Sequence, residues 1–162
     1  AQGRLAIPGG WELRRQYDLL RLVKGARQRQ SICYSYTMTL CAPLSIPEAG
    51  VAILLERLPP PVKIQPTGSM EALFDADELP EPLAVRNFRN GDRFAPLGMD
   101  GHKKVKDLFI DRKVVLSERA KLPILIGGDQ VLWIPGHGRS RVALVTPASR
   151  AIIRIKVVPL GT

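Results

Sequence analysis

The sequence predicts an α+β fold, β-rich in its first half, with a mixed sheet and two short helices in its second. Three observations predict it. Apolar and polar residues alternate through 32–41, Val105, Leu108 and Phe109 recur at helical spacing, and a glycine turn joins two apolar runs at 124–134. The 162 residues, 45% hydrophobic, suffice for a core, and 24% charged residues argue against wholesale disorder.

Taken in order, Trp11, Leu13, Tyr17 and Leu19 share one parity, with a turn or edge at Gln16-Tyr17-Asp18. Lys24 to Gln30 reads as a basic hairpin connection. Ile32, Tyr34, Tyr36, Met38 and Leu40 alternate with Cys33, Ser35, Thr37, Thr39 and Cys41, the signature of a half-buried strand, which Pro43 and Pro47 end. Gly50 opens a third run, Val51 to Leu55, closed by Pro59-Pro60-Pro61. Met70 to Glu78 is ambiguous between a short helix and a strand, since Phe74, Asp75, Ala76 and Asp77 fit neither period well. Pro80-Glu81-Pro82 then breaks the chain where its charge changes, which predicts a β-rich segment over 1–80 and a basic domain over 81–162.

Beyond that break, Leu83 to Phe88 reads as a strand and Asn90-Gly91-Asp92 as a tight turn. Arg93 to Met99 is an irregular loop. From His102 the pattern becomes helical, and Ser117 is the expected N-cap of a second short helix stopped by Pro123. Ile124–Ile126 and Val131–Ile134 flank Gly127-Gly128-Asp129 as a hairpin. Ala151 to Val158 is a last strand, with Ile153, Ile155 and Val157 opposed to Arg154 and Lys156.

Charge narrows the function. Lys and Arg number 24 against 15 Asp and Glu, a net +9. Residues 1–81 hold 9 basic and 9 acidic groups, whereas 82–162 hold 15 and 6, so the whole excess lies in the second half. Such asymmetry suits a polyanionic partner, nucleic acid or an acidic surface; solubility alone is the competing reading. Lys103, Lys104 and Lys106 are expected in the first turns of the helix, where unpaired N–H groups and the helix dipole favour a phosphate. Arg86, Arg89 and Arg93 lie on the strand and turn leading in, and Arg112, Lys113, Arg139 and Arg141 add charge from other loops. Aromatics are few in this half, and Phe109 and Trp133 read as core. Recognition of a duplex backbone is therefore favoured over stacking on single strands.

Catalytic candidates are thin. His137, Ser140 and Asp129 make a triad on paper, but no nucleophile elbow and no phosphate loop occurs. Asp75, Asp77 and Glu78 read as a Mg²⁺ set or as a solvated acidic loop. Cys33 and Cys41, on one strand, would stand ~26 Å apart and could not pair, so reduced thiols in a cytoplasmic protein are expected. No apolar run nears the ~20 residues of a membrane helix. The chain opens at Ala1 with neither an initiator Met nor a signal segment, as expected of a piece of a longer protein.

The run Val85-Arg86-Asn87-Phe88-Arg89-Asn90-Gly91-Asp92-Arg93-Phe94-Ala95-Pro96-Leu97-Gly98-Met99, followed by Lys103-Lys104-Val105-Lys106-Asp107-Leu108-Phe109-Ile110-Asp111-Arg112-Lys113-Val114, resembles the C-terminal region of bacterial tRNA(Ile)-lysidine synthetases. Leu122-Pro123-Ile124-Leu125, Val131 to Gly136, Phe74 to Asp77 and Ile7 to Trp11 continue the likeness. The resemblance implies a β-sandwich of unusual topology, similar to a domain of the phenylalanyl-tRNA synthetase β subunit. It implies a parent enzyme whose N-terminal domain uses ATP and Mg²⁺ to adenylate the wobble cytidine of a CAU-anticodon tRNA(Ile), after which lysine displaces AMP. The SGGxDS loop of that domain is missing here, so this chain is expected to be catalytically silent, with no cofactor of its own. Its implied partners are tRNA(Ile), chiefly by the acceptor stem, and its own catalytic domain, with a homodimer as a further possibility. Arg86, Arg89, Arg93, Lys103, Lys104, Lys106, Arg112 and Lys113 become the expected phosphate contacts. Asp92 is expected to order the turn or pair with Arg93. Ala95 stands where the family often has a basic residue, which weakens that edge. A role in packing on the catalytic domain or a second subunit is the alternative.

Overall fold

The computed structural model describes residues 2–24, 32–40, 42–60 and 68–161. Cys41, Pro61 and the 25–30 part of the expected basic connection lie outside them. The chain forms two compact units, residues 1–31 and 32–162.

The first unit is an antiparallel meander of β1 (Gln2–Ile7), β2 (Trp11–Gln16) and β3 (Leu19–Lys24). Gln16 opposes Leu19, so Tyr17-Asp18 form the turn, at the position expected. Leu5, Leu13 and Leu22 stand opposite one another and therefore share one face.

The second unit runs β4 (Ser35–Thr37), β5 (Leu44–Ile46), β6 (Val51–Leu58), β7 (Glu71–Asp75), β8 (Leu83–Arg86), β9 (Arg93–Phe94), β10 (Lys103–Lys104), α1 (Val105–Asp111), α2 (Leu116–Arg119), β11 (Ile124–Gly127), β12 (Gln130–Ile134), β13 (Gly138–Arg139) and β14 (Ile152–Pro159). One sheet has the order β13-β12-β11-β8-β4 and a second the order β5-β6-β14-β7, while β9 and β10 make a separate two-stranded ladder. Every strand pairing among the described residues is antiparallel, which corrects the expected mixed sheet. The connection from β8 to its neighbour β11 carries both helices, yet it returns the chain antiparallel to β8.

The boundary expected at residue 80 is also corrected. β4 pairs with β8 and β6 with β14, so each sheet draws strands from both sides of that position. Pro80-Glu81-Pro82 lies instead in the connection between β7 of one sheet and β8 of the other. The charge step along the chain is real, but it does not coincide with a break in packing.

Two cores result. Tyr34, Val85, Leu125 and Trp133 from one sheet meet Ile53, Phe74, Ile155 and Val157 from the other, the filling of a sandwich. The opposite face of the five-stranded sheet gives Ile124, Ile126, Val131 and Ile134 to Val105, Leu108 and Phe109 of α1. A bulge serves both. The register shifts between Leu125 and Ile126, leaving Leu132 as the extra residue on β12. Leu132 and Trp133 thus both enter the sandwich core, while Val131 and Ile134 face the helix. Gly127 makes room for this bulge, since a Cβ there would stand 2.7 Å from Leu132 Cδ1 and 2.7 Å from the Pro80 carbonyl oxygen.

Two local expectations need correction, and one ambiguity is resolved. The strand expected over 32–41 is only Ser35–Thr37. Asn87 takes over part of its ladder, accepting from the Tyr34 N–H at 3.3 Å and donating to the Ile32 carbonyl at 2.7 Å. Met70 to Glu78 contains β7, whose five residues are all buried; with no solvent face there is no alternation to read. Helix α2 starts two residues earlier than a Ser117 N-cap allows, with Val115 as N-cap and Ser117 inside.

Candidate nucleic-acid interface

The basic stretch folds as one corner: β8, a turn over Arg89–Asp92, β9, a loop, β10 and α1. Asp92 organises it. Its carboxylate accepts from both Nη atoms of Arg86 at 2.8 Å each, and from the Arg89 N–H at 2.9 Å. The Asp92 N–H closes the turn onto the Arg89 carbonyl at 3.2 Å, with Gly91 at φ +99°, a conformation that glycine adopts without strain. The Asp92 carbonyl accepts from the Val105 N–H at 2.9 Å, which ties the turn to the start of α1.

Two of the expected phosphate contacts are engaged with carboxylates of the chain itself. Arg86 is spent on Asp92, its side chain 14% exposed, and serves as a partly buried strut. Asp92 does order the turn, but its ionic partner is Arg86 and not Arg93. Lys103 and Lys104 lie in β10, ahead of the helix rather than in its first turns. Lys103 Nζ is 2.6 Å from the Asp111 carboxylate, so its charge is largely neutralised. The helix-terminus argument falls too, because the Val105 N–H is already satisfied and α1 has only seven residues.

The other cations stay on the surface. Arg89, Arg93, Lys104 and Lys106 are exposed, and Arg93 faces Lys104 across the β9–β10 ladder. Arg112 and Lys113 are exposed at the far end of α1. There the Lys113 N–H bonds the Ile110 carbonyl at 3.0 Å and the Val114 N–H the Phe109 carbonyl at 2.8 Å. This is a Schellman close, with Lys113 at φ +54° where glycine is usual. Cations at that end suit the helix dipole. Six of the eight expected contacts therefore remain displayed, four at the turn and helix start and two at the helix end.

Arg139 and Arg119 are not displayed. Arg139 lies 4.5 Å over the Phe74 ring and donates Nη2 to the Ala143 carbonyl at 3.1 Å; burial pushes its pKa down to about 10. Arg119 is buried over Phe109 and donates Nε to the Val114 carbonyl at 2.8 Å. Charge counting cannot separate such internal guanidinium groups from surface ones.

The paper triad is not assembled. His137 packs edge-on against Phe109, 5.9 Å between ring centres, and burial holds its imidazole below the ordinary pKa. Asp129 and Ser140 line a cavity of about 310 Å³ with Arg93, His102 and Gln130, to which His137 does not belong. Ser140 Oγ accepts from the Val142 N–H at 3.2 Å. The acidic set lines one cavity with Arg141 and Arg150, but two of its carboxylates are engaged: Asp75 accepts from the Ser149 hydroxyl and from the Asp77 N–H at 2.9 Å, and Asp77 lies 3.5 Å from Arg150. No group of three potential ligands poised for a metal occurs among the described residues. Among the described residues no helix is long and apolar enough to cross a membrane.

Sequence reasoning passed over Leu97 and Met99, which stand exposed in the β9–β10 loop. Apolar residues in a stretch read only as an irregular loop were the available signal.

Comparison with known proteins agrees with this architecture. The family described as the TilS substrate C-terminal domain matches residues 83–155. A tRNA(Ile)-lysidine synthase of Symbiobacterium thermophilum is 34% identical over 157 residues, covering 94% of this chain and 33% of that protein. One from Geobacter sulfurreducens is 39% identical over 117 residues, covering 72% and 24%. A crystal structure of a TilS C-terminal domain superposes with a TM-score of 0.70 at 30% identity, over 80% of this chain and 99% of that one. The chain thus spans a third or less of the length of these two curated relatives.

Proposed function

Because the chain belongs to the TilS C-terminal domain family, we propose that it anchors tRNA(Ile) by its phosphate backbone for a tRNA(Ile)-lysidine synthase. In this reading the acceptor stem is the duplex held, in the cytoplasm. The remainder of the synthase, a C–N ligase with ATP and Mg²⁺, converts the wobble cytidine to lysidine. The observation that carries the reading is the grouping of exposed Arg89, Arg93, Lys104 and Lys106 on a corner made rigid by Asp92. Rigid placement lowers the ordering cost of binding, and phosphates need only charge at the right spacing.

Competition between RNA duplexes and single strands of equal length tests it. The duplex is expected to win, since the corner offers cations and no exposed aromatic platform: Phe94 and Phe109 are both buried. Equal affinity for the two, or none for either at low salt, would refute the reading.

A second reading is favoured by the 2–24 meander, where Leu5, Leu20 and Leu22 are 63%, 65% and 56% exposed. A three-stranded sheet with such a face is stabilised by covering it. The cover in this reading is the synthase's catalytic domain or a second copy of the chain. Leu5→Ser with Leu22→Ser would then weaken association while leaving RNA affinity unchanged.

A further inference from the structure

Phosphate docking leaves one feature of the corner idle. Leu97 is 52% exposed and Met99 55%, although both sit in a well-tethered loop. They share a tight turn in which the Met99 N–H donates to the Pro96 carbonyl at 3.3 Å, with Gly98 at φ +78° in the third position. Two further ties hold it. The Leu97 N–H donates to the Arg139 carbonyl at 2.9 Å and the Arg141 N–H to the Ala95 carbonyl at 2.9 Å, which together bridge Pro96 to Ser140.

Rigid surface turns ordinarily carry polar side chains. Here two aliphatic ones are presented to solvent on a support that does not let them fold back. At the foot of the same loop stand Arg93 and Lys104, paired across the two-residue ladder. Apolar side chains on a loop that joins two cation-bearing strands match one feature of a nucleic-acid duplex: its end, where the outer face of the last base pair is bare and phosphates of both strands lie beside it. Along the interior of a duplex, apolar side chains reach base faces only by unstacking a step.

We propose that Leu97 and Met99 lie against the outer face of a terminal base pair of duplex RNA, with Arg93 and Lys104 on the phosphates beside that end. The inference rests on the phosphate docking proposed above and adds to it a preference for duplex ends. It also gives the loop a reason to be both apolar and tethered.

The test uses the 162-residue chain with two RNAs of identical stem, one blunt at one end and one closed by tetraloops at both. The wild type is expected to prefer the open-ended stem by about tenfold, the scale of burying two half-exposed aliphatic side chains. Leu97→Ser with Met99→Ser should abolish that preference and leave affinity for the closed stem and its salt dependence unchanged. A 2-aminopurine in the terminal pair should change fluorescence with the wild type and not with the double variant. Equal binding of the two RNAs by the wild type, or a preference that survives in the double variant, would overturn the end-capping while phosphate docking stands. Failure to bind either RNA at low salt would remove the docking, and the end-capping with it.

Discussion

Asp92 and Arg86 close a ring of two parallel hydrogen bonds, 2.8 Å each, beneath the basic turn. The pair is mostly buried, with side chains 11% and 14% exposed. The Asp92 carboxylate also holds the Arg89 N–H, and its backbone carbonyl the Val105 N–H. One residue therefore fixes the strand end, the turn and the helix start. Asp92→Ala strips Arg86 of its counter-charge and leaves it enclosed, so a loss of about 3 kcal/mol in unfolding free energy is expected. Chemical denaturation measures this; a midpoint equal to the wild type would show that the pair is not a strut.

The displayed and the neutralised lysines should behave differently. Lys104→Gln with Lys106→Gln removes two exposed charges and is expected to weaken duplex RNA binding about tenfold or more at moderate salt, without lowering the melting temperature. Lys103→Gln should matter much less, because Asp111 already covers that ammonium. Equal losses from the two changes, read by fluorescence anisotropy, would contradict the division.

Gly127 is expected to tolerate no side chain. In Gly127→Ala the new methyl meets Leu132 and the rigid Pro80 carbonyl, and a cost of about 2 kcal/mol follows from overpacking. Urea titration should show a lower midpoint at unchanged slope, since the surface exposed on unfolding stays the same.

Acid stability should depend on Asp75. The Ser149 hydroxyl donates to its carboxylate and holds its pKa below the ordinary carboxylate value. Between the depressed value and the ordinary one, the unfolded chain binds more protons than the folded chain. Stability is therefore present above the ordinary carboxylate pKa and falls as pH drops through the depressed one. Ser149→Ala is expected to reduce this contribution, so its deficit relative to the wild type should be greatest near neutral pH and shrink in acid. A deficit constant with pH would rule the linkage out.

Much of this corner was legible from local pattern. The Arg89–Asp92 turn follows from Asn90-Gly91, the 124–134 hairpin from its glycines, and the core face of α1 from Val105, Leu108 and Phe109. The alternation of Ile153, Ile155 and Val157 predicted β14 to within one residue at each end. What pattern does not encode is which carboxylate covers which cation. Arg86 finds Asp92 six residues away across a turn, and Lys103 finds Asp111 eight away, past the start of a helix. Neither spacing is a rule of helix or strand. Strand partners are equally remote: β6 meets β14 at Glu56 and Arg154, almost a hundred residues apart. The expected boundary at residue 80 failed for that reason, since proline marks a change of direction whether or not packing ends there.

The salt dependence of wild-type affinity for a duplex RNA tests the central claim most directly. Four displayed cations on a rigid corner predict that log K falls linearly with log salt, with a slope of roughly −3 to −4. A slope near zero would contradict phosphate anchoring, whatever the affinity at any single salt concentration.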